Sequence, residues 1–136
     1  MLSIHSALIH TMVLVSASDS NMSDKELQTI GNITRTLPVF AGFDMEQLPE
    51  IAETCADILS EKDGLETELK LISSSLPAEL RETAYALALE IAATDKKATQ
   101  EELRLLELLR HELGIDRLIA AGIERGARAR HAVAKG

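Results

Sequence analysis

Two pairs of acidic residues in this 136-residue sequence have a spacing that could bind a cation. Asp19 and Glu26 are seven residues apart, and Asp95 and Glu102 repeat that spacing 76 positions later. Each Asp follows an apolar helical segment, where the negative end of the helix dipole makes a carboxylate mildly unfavourable. A hard cation such as Ca²⁺ or Mg²⁺, which prefers oxygen ligands, would offset that cost. One hypothesis is therefore a divalent-metal site at these acidic turns.

The two Glu residues also have a structural interpretation. Ser23 precedes Glu26 by three residues, and Thr99 precedes Glu102 by three, which is the spacing of a capping box at a helix start. In a capping box the hydroxyl accepts a hydrogen bond from the Glu amide, and the carboxylate accepts one from the cap amide. This interpretation accounts for both Glu residues and leaves the two Asp residues open.

A row of acidic residues between positions 46 and 61 is the second candidate site. Its members recur at steps of four, three, four and four, which places them on one helix face, opposite a leucine stripe. The segment 44–68 has nine Asp and Glu residues against Lys62, so its net charge of −8 equals that of the whole chain. The pattern fits either a solubilising face or a docking surface for a basic partner or for cations. We call this set the acidic row; its members are Glu46, Glu50, Glu53, Asp57 and Glu61.

Residues with catalytic chemistry are scarce. Cys55 lies on the apolar stripe of its predicted helix, which indicates a small buried residue and not a nucleophile. His5 and His10 are five residues apart, whereas a spacing of four would suit a metal better. His111 and His131 are expected at the surface. The sequence has no glycine-rich phosphate loop, HExxH or GxSxG motif, so we predict a protein without enzymatic activity and without a certain cofactor.

Composition limits the partners. Asp and Glu outnumber Lys and Arg by 22 to 14, and 2% of the residues are aromatic. Nucleic acid is therefore a poor match, since its recognition uses positive charge and base stacking. The one Cys excludes an internal disulfide and fits a reducing compartment. We expect a cytoplasmic protein, because no apolar run reaches the ~20 residues of a membrane-spanning helix and the start lacks the positive charges of a signal peptide.

Apolar residues recur every three or four positions, and Leu and Ala dominate over β-branched types. This pattern predicts an all-α fold of about seven helices with short connections, as in a helical bundle. Before Pro49 it predicts either a 3₁₀-like turn over Met45–Leu48 or a helix that lacks one early hydrogen bond. One domain is predicted over residues 1–124. Residues 125–136 carry four positive charges and are predicted to form a basic, frayed tail.

The chain contains an internal duplication at the offset of 76 residues. Segment 17–27 aligns without gaps on segment 93–103, and the copies continue to matching leucines, Leu37 and Leu113. Each half is predicted to be a helix, an acidic turn and a second helix. Because repeats set the architecture, we expect two helix-turn-helix units related by pseudo-twofold symmetry.

The repeated pattern resembles the TerB-like domain, the tellurite-resistance TerB family. The residues that carry the resemblance are an Ala-x-Asp after an apolar helix, a hydroxyl cap, a Glu and a Leu-rich helix, most closely over 84–116. The resemblance covers about residues 3–123. It implies a pseudo-symmetric helical bundle in the cytoplasm, without enzymatic activity and linked to tellurite and metal-stress systems that work near the membrane with partner proteins. It also implies a metal-ligand role for the acidic turn residues.

The sequence thus predicts a non-enzymatic acidic adaptor of a metal-stress response, which could also respond to a cation. The predicted partner is a protein with a basic surface, in a membrane-proximal stress complex, bound through the acidic row. A first alternative is a divalent-metal-binding protein that uses Asp19, Glu26, Asp95 and Glu102. A second is a helper at membranes or nucleic acid that uses the basic tail, which the acidic net charge disfavours.

Overall fold

The computed structural model describes residues 1–18, 22–94 and 99–135. In these ranges the chain forms seven α-helices and two 3₁₀ turns and has no strand, which confirms the predicted all-α fold. The helices are α1 (Ile4–Ser16), α2 (Asp24–Thr36), α3 (Leu48–Leu59), α4 (Gly64–Ser75), α5 (Ala78–Thr94), α6 (Gln100–Leu113) and α7 (Arg117–Arg130). None of the helices in the described ranges is both long and apolar enough to span a membrane.

Helix α1 lies at the centre of the bundle. Its sequence is apolar on nearly every side, as is typical of an interior helix, and every residue from Ala7 to Ser16 is buried. It packs mainly against α3, α4 and α5, with smaller contacts to α2 and α6. The polar side chains of His10, Thr11 and Ser16 are therefore carried into the core.

Helices α2 and α6 begin with the predicted capping boxes. The Ser23 hydroxyl accepts a hydrogen bond from the Glu26 amide at 3.1 Å, and the Glu26 carboxylate accepts one from the Ser23 amide at 3.0 Å. Thr99 and Glu102 make the same two bonds at 3.1 and 3.2 Å. The helices of each half thus match at the predicted offset, while the pseudo-twofold relation between the halves stays a prediction.

Local sequence features also determine where α3 and α7 begin and where α6 ends. The 3₁₀ turn Met45–Gln47 precedes α3, and Pro49 is the second residue of that helix, where no amide donor is needed. Helix α6 ends at Gly114, whose φ of 66° lies in the left-handed region that favours glycine. Asp116 is the cap before α7, and its carboxylate accepts a hydrogen bond from the Leu118 amide at 3.0 Å.

Helix α7 continues past residue 124, the predicted end of the domain. It extends to Arg130, and Ala127 is buried against the bundle. Arg130 and His131 both contact the carboxylate of Glu90 on α5. The predicted boundary therefore falls inside a helix, because an apolar contact and an ion pair hold the last turns of α7 to α5.

Candidate functional site

The acidic row lies along the outer face of α3 and the turns that flank it. All five of its side chains are exposed, as the helical spacing predicts. None of these five carboxylates forms an ion pair with a Lys, Arg or His in the described ranges. The row is therefore a line of negative charge without a described Lys or Arg counter-charge.

The inner face of α3 fixes this surface to the core. Cys55 is fully buried, as its place on the apolar stripe predicts. Ile51, Ala52 and Leu59 are half-buried and pack against the core cluster. The helix is anchored along its length, so the carboxylates on its outer face are presented by a rigid support.

A tight turn joins α3 to α4. Asp63 has a φ of 60°, a left-handed conformation that Asp tolerates better than most residues. At Gly64 a Cβ atom would collide with the carbonyl oxygen of Ile58, so only glycine fits. This turn folds α4 back against α3 and brings Glu68 next to Cys55.

A buried polar cluster, which the sequence analysis did not identify, joins α1, α3 and α4. His10 Nδ1 lies 2.5 Å from Glu68 Oε1, and the Cys55 thiol donates to the same oxygen at 3.4 Å. The thiol is also 3.7 Å from the carbonyl oxygen of His10. The three side chains are 0–1% exposed, so the cluster is closed to solvent.

Glu68, one of the nine acidic residues of segment 44–68, does not lie at the surface. Its side chain is 0% exposed and points into the core, because it shares a buried face of α4 with Gly64 and Ile72. Its second oxygen, Oε2, is buried and has no hydrogen-bond partner in the described part of the chain. Burial, and then the negative charge of Glu68, raise the pKa of the Cys55 thiol far above its usual range, which opposes a free, nucleophilic thiolate.

The predicted metal ligands at the acidic turns are only partly described. Asp19 and Asp95 lie outside the described residues. Glu26 and Glu102 are each 2% exposed, and their carboxylates take part in the two capping boxes. The structure thus supports the structural interpretation of the Glu residues, and a metal site formed by all four residues stays a prediction.

The other three histidines, His5, His111 and His131, lie outside the buried polar cluster. His5 Nε2 lies 2.9 Å from the carbonyl oxygen of Val39, and its ring packs against Phe40 and Phe43. His111 and His131 are exposed, as predicted.

An open groove of about 970 Å³ lies between α5, α6 and α7. The Tyr85 hydroxyl in this groove donates a hydrogen bond to Glu124 Oε2 at 2.5 Å. Burial and this bond raise the pKa of Tyr85 well above its usual range. Tyr85 and Glu124 are 39 residues apart in the chain, so the local sequence pattern gave no sign of this bond.

Comparison with known families identifies the chain. A family model described as "Tellurite resistance protein TerB" matches residues 5–123 of the 136. The chain belongs to the TerB family. The predicted resemblance is confirmed over nearly the same range, and TerB proteins are linked to tellurite resistance. No curated protein and no solved structure gives a significant match.

Proposed function

We propose that this TerB-family protein is a non-enzymatic adaptor that binds a basic protein partner through the acidic row. One observation carries the proposal: the row presents five exposed carboxylates on one face, and none of them pairs with a Lys or Arg in the described ranges. We further propose that the adaptor works in a metal-stress assembly, in the cytoplasm and close to the membrane, and the family's link to tellurite resistance supports this proposal.

The spacing of the charges supports a docking role. Like charges three or four residues apart destabilise a helix by about 0.2–0.5 kcal/mol per pair. A face that serves only solubility can alternate acidic and basic residues and avoid this cost. A basic partner would neutralise the row, so that binding converts repulsion within the helix into attraction across the interface.

The anchoring of α3 supports the same role. Helix α3 is fixed by buried Cys55 and by the packing of Ile51 and Leu59, so the spacing of the carboxylates is set before a partner arrives. Pre-organisation of this kind lowers the entropy lost on binding. The buried Cys55 thiol, with its raised pKa, also favours a binding role over nucleophilic catalysis.

Charge neutralisation on the row tests the proposal. A variant with Glu50→Gln, Glu53→Gln and Asp57→Asn removes three charges and keeps the side-chain shapes. Its thermal stability should equal or slightly exceed that of the wild type, because repulsion along the helix is reduced. In pull-downs from native cell extract at low and moderate salt, it should lose the basic partner that the wild type retains, through slower, salt-sensitive association.

A charge-matched variant is the control. Glu79→Gln, Glu82→Gln and Glu107→Gln remove the same number of charges from exposed positions on α5 and α6, away from the row. This variant should retain the partner. If both variants lose the partner equally, the binding depends on net charge and not on the row. If both retain it equally, the row is only a solubilising face.

A further inference from the structure

The buried polar cluster contains the donor atoms of a second kind of cation site. We infer that His10, Cys55 and Glu68 bind a borderline-soft divalent cation, represented by Zn²⁺, through Nδ1, Sγ and the carboxylate. This site is separate from the acidic turns and from the acidic row, and it does not depend on the proposed adaptor function.

The distances suit a small cation. The three donor atoms lie within 4.8 Å of one another, and Cys55 Sγ is 3.4 Å from Glu68 Oε1. Zn²⁺ binds nitrogen and oxygen at about 2.0–2.2 Å and sulfur at about 2.3 Å, so neighbouring tetrahedral ligand atoms are roughly 3.3–3.8 Å apart. The sulfur already has this separation from the carboxylate. The 2.5 Å between His10 Nδ1 and Glu68 Oε1 must widen by roughly 1 Å to admit the ion.

An unpaired oxygen also points to a ligand. Glu68 Oε2 is buried and has no hydrogen-bond partner among the described residues. A buried polar atom without a partner is costly, and each one in a native structure calls for an explanation. A cation held by both oxygens of Glu68 would satisfy this atom. Together with His10 and Cys55, the ion would then have three protein ligands and four donor atoms, with the two Glu68 oxygens closer together than regular tetrahedral positions.

Charge balance favours a divalent ion of this class. The Cys55 thiolate and the Glu68 carboxylate together neutralise a charge of +2, and His10 binds as a neutral ring. On binding, the Cys55 thiol releases its proton to solvent. The proton between His10 Nδ1 and Glu68 Oε1 also leaves, so that Nδ1 binds the ion and the neutral ring carries its proton on Nε2. Thiolate is a soft ligand and imidazole a borderline one, so Ca²⁺ and Mg²⁺, which prefer oxygen ligands, should not compete for this site.

The site would connect three helices that already pack together, α1, α3 and α4. Because its side chains are 0–1% exposed, the ion has to enter during folding or during an opening of the α3–α4 pair. An ion that binds the folded state and not the unfolded chain stabilises the fold.

Refolding in the presence of Zn²⁺ tests the inference. The full chain is unfolded in denaturant, refolded with Zn²⁺, washed briefly with a chelator and analysed for bound metal by atomic emission. We expect about one retained ion per chain and a higher midpoint of thermal unfolding. Loading by refolding makes the result independent of access to the closed core.

Two ligand variants and one matched control locate the ion. Cys55→Ser and Glu68→Gln should each lower affinity at least about tenfold, since loss of an outer-shell partner alone costs about 10–100-fold. Glu66→Gln is the control, because it makes the same change at an exposed position on the same helix, and it should retain the ion. Co²⁺ loading gives a second measurement: the wild type should show a thiolate-to-metal charge-transfer band that Cys55→Ser lacks.

Three outcomes would overturn the inference. The refolded wild type could retain no Zn²⁺, or folded Cys55→Ser and Glu68→Gln proteins could retain it as well as the wild type, which would place the ion on the surface. The third is a Co²⁺ spectrum of the wild type without the thiolate band. This last measurement decides the question even if a ligand variant fails to fold.

Discussion

His10 on α1 and Glu68 on α4 are 58 residues apart in the chain, and their Nδ1 and Oε1 atoms lie 2.5 Å apart in the core. Both side chains are at most 1% exposed, so water does not compete for either partner. The pair connects the central helix α1 to α4, the helix that packs against α3. Its integrity therefore bears on the stability of the whole bundle.

Removal of one partner should destabilise the fold strongly. Glu68→Leu leaves His10 buried without its acceptor, and a buried polar group without a partner costs about 1–3 kcal/mol. In the double variant Glu68→Leu and His10→Leu, the loss of unfolding free energy should be smaller than the sum of the losses in the two single variants, because neither member of the pair is left without its partner. Urea denaturation of the wild type, the two single variants and the double variant measures this coupling energy. A loss below about 1 kcal/mol for Glu68→Leu would mean that the pair contributes little.

Tyr85 should resist ionisation in the folded protein. It is the one tyrosine in a chain without tryptophan, so its near-ultraviolet absorbance titration has no overlapping signal. Burial and the Glu124 hydrogen bond raise its pKa, so the folded state holds the proton at a pH where the unfolded chain releases it. The corresponding stability is present below the ordinary value of about 10 and is lost as pH rises above it. Glu124→Gln should lower the titration midpoint, and an unshifted midpoint in both proteins would contradict the observed contact.

The capping boxes should each stabilise their helix measurably. Ser23→Ala and Thr99→Ala each remove the hydroxyl that accepts a hydrogen bond from the Glu26 or Glu102 amide. Loss of such a cap lowers the free energy of unfolding by about 0.5–2 kcal/mol. Thermal or urea unfolding of each single variant checks this value. Replacement by Asp, which also caps helices well, should restore most of the stability.

The predicted hard-cation site at the acidic turns needs its own measurement. Calorimetric titration of the full chain with Ca²⁺ should give heat that disappears when Asp19→Asn and Asp95→Asn are combined. These changes leave Glu26 and Glu102 in their capping boxes, so the helix starts are kept. Identical heats for the two proteins would show that these Asp residues are not ligands. Zn²⁺ retention in the core cluster should be the same in both.

The local pattern predicted what depends on residues close in sequence. The capping boxes and the turn before Pro49 follow from contacts within a few positions. The His10–Glu68 pair depends on how α4 packs on α1, which no local pattern contains. Two signs of it were present: a histidine inside a mostly apolar helix, and a Glu beside Leu69 on the apolar face of α4. The extension of α7 was missed for a similar reason, because Glu90 on α5 holds its end.

Site-specific photo-crosslinking at the acidic row tests the adaptor proposal most directly. Thr54 is exposed on α3 between the carboxylates of the row, so a photo-reactive residue there removes no charge. In native cell extract we predict a crosslink to one protein with a basic surface, with a yield that falls at higher salt. The yield should also fall several-fold when Glu50, Glu53 and Asp57 are neutralised, and it should persist in the charge-matched control. A crosslink yield unchanged by neutralisation of the row, or no crosslink at all from this position, would contradict the account.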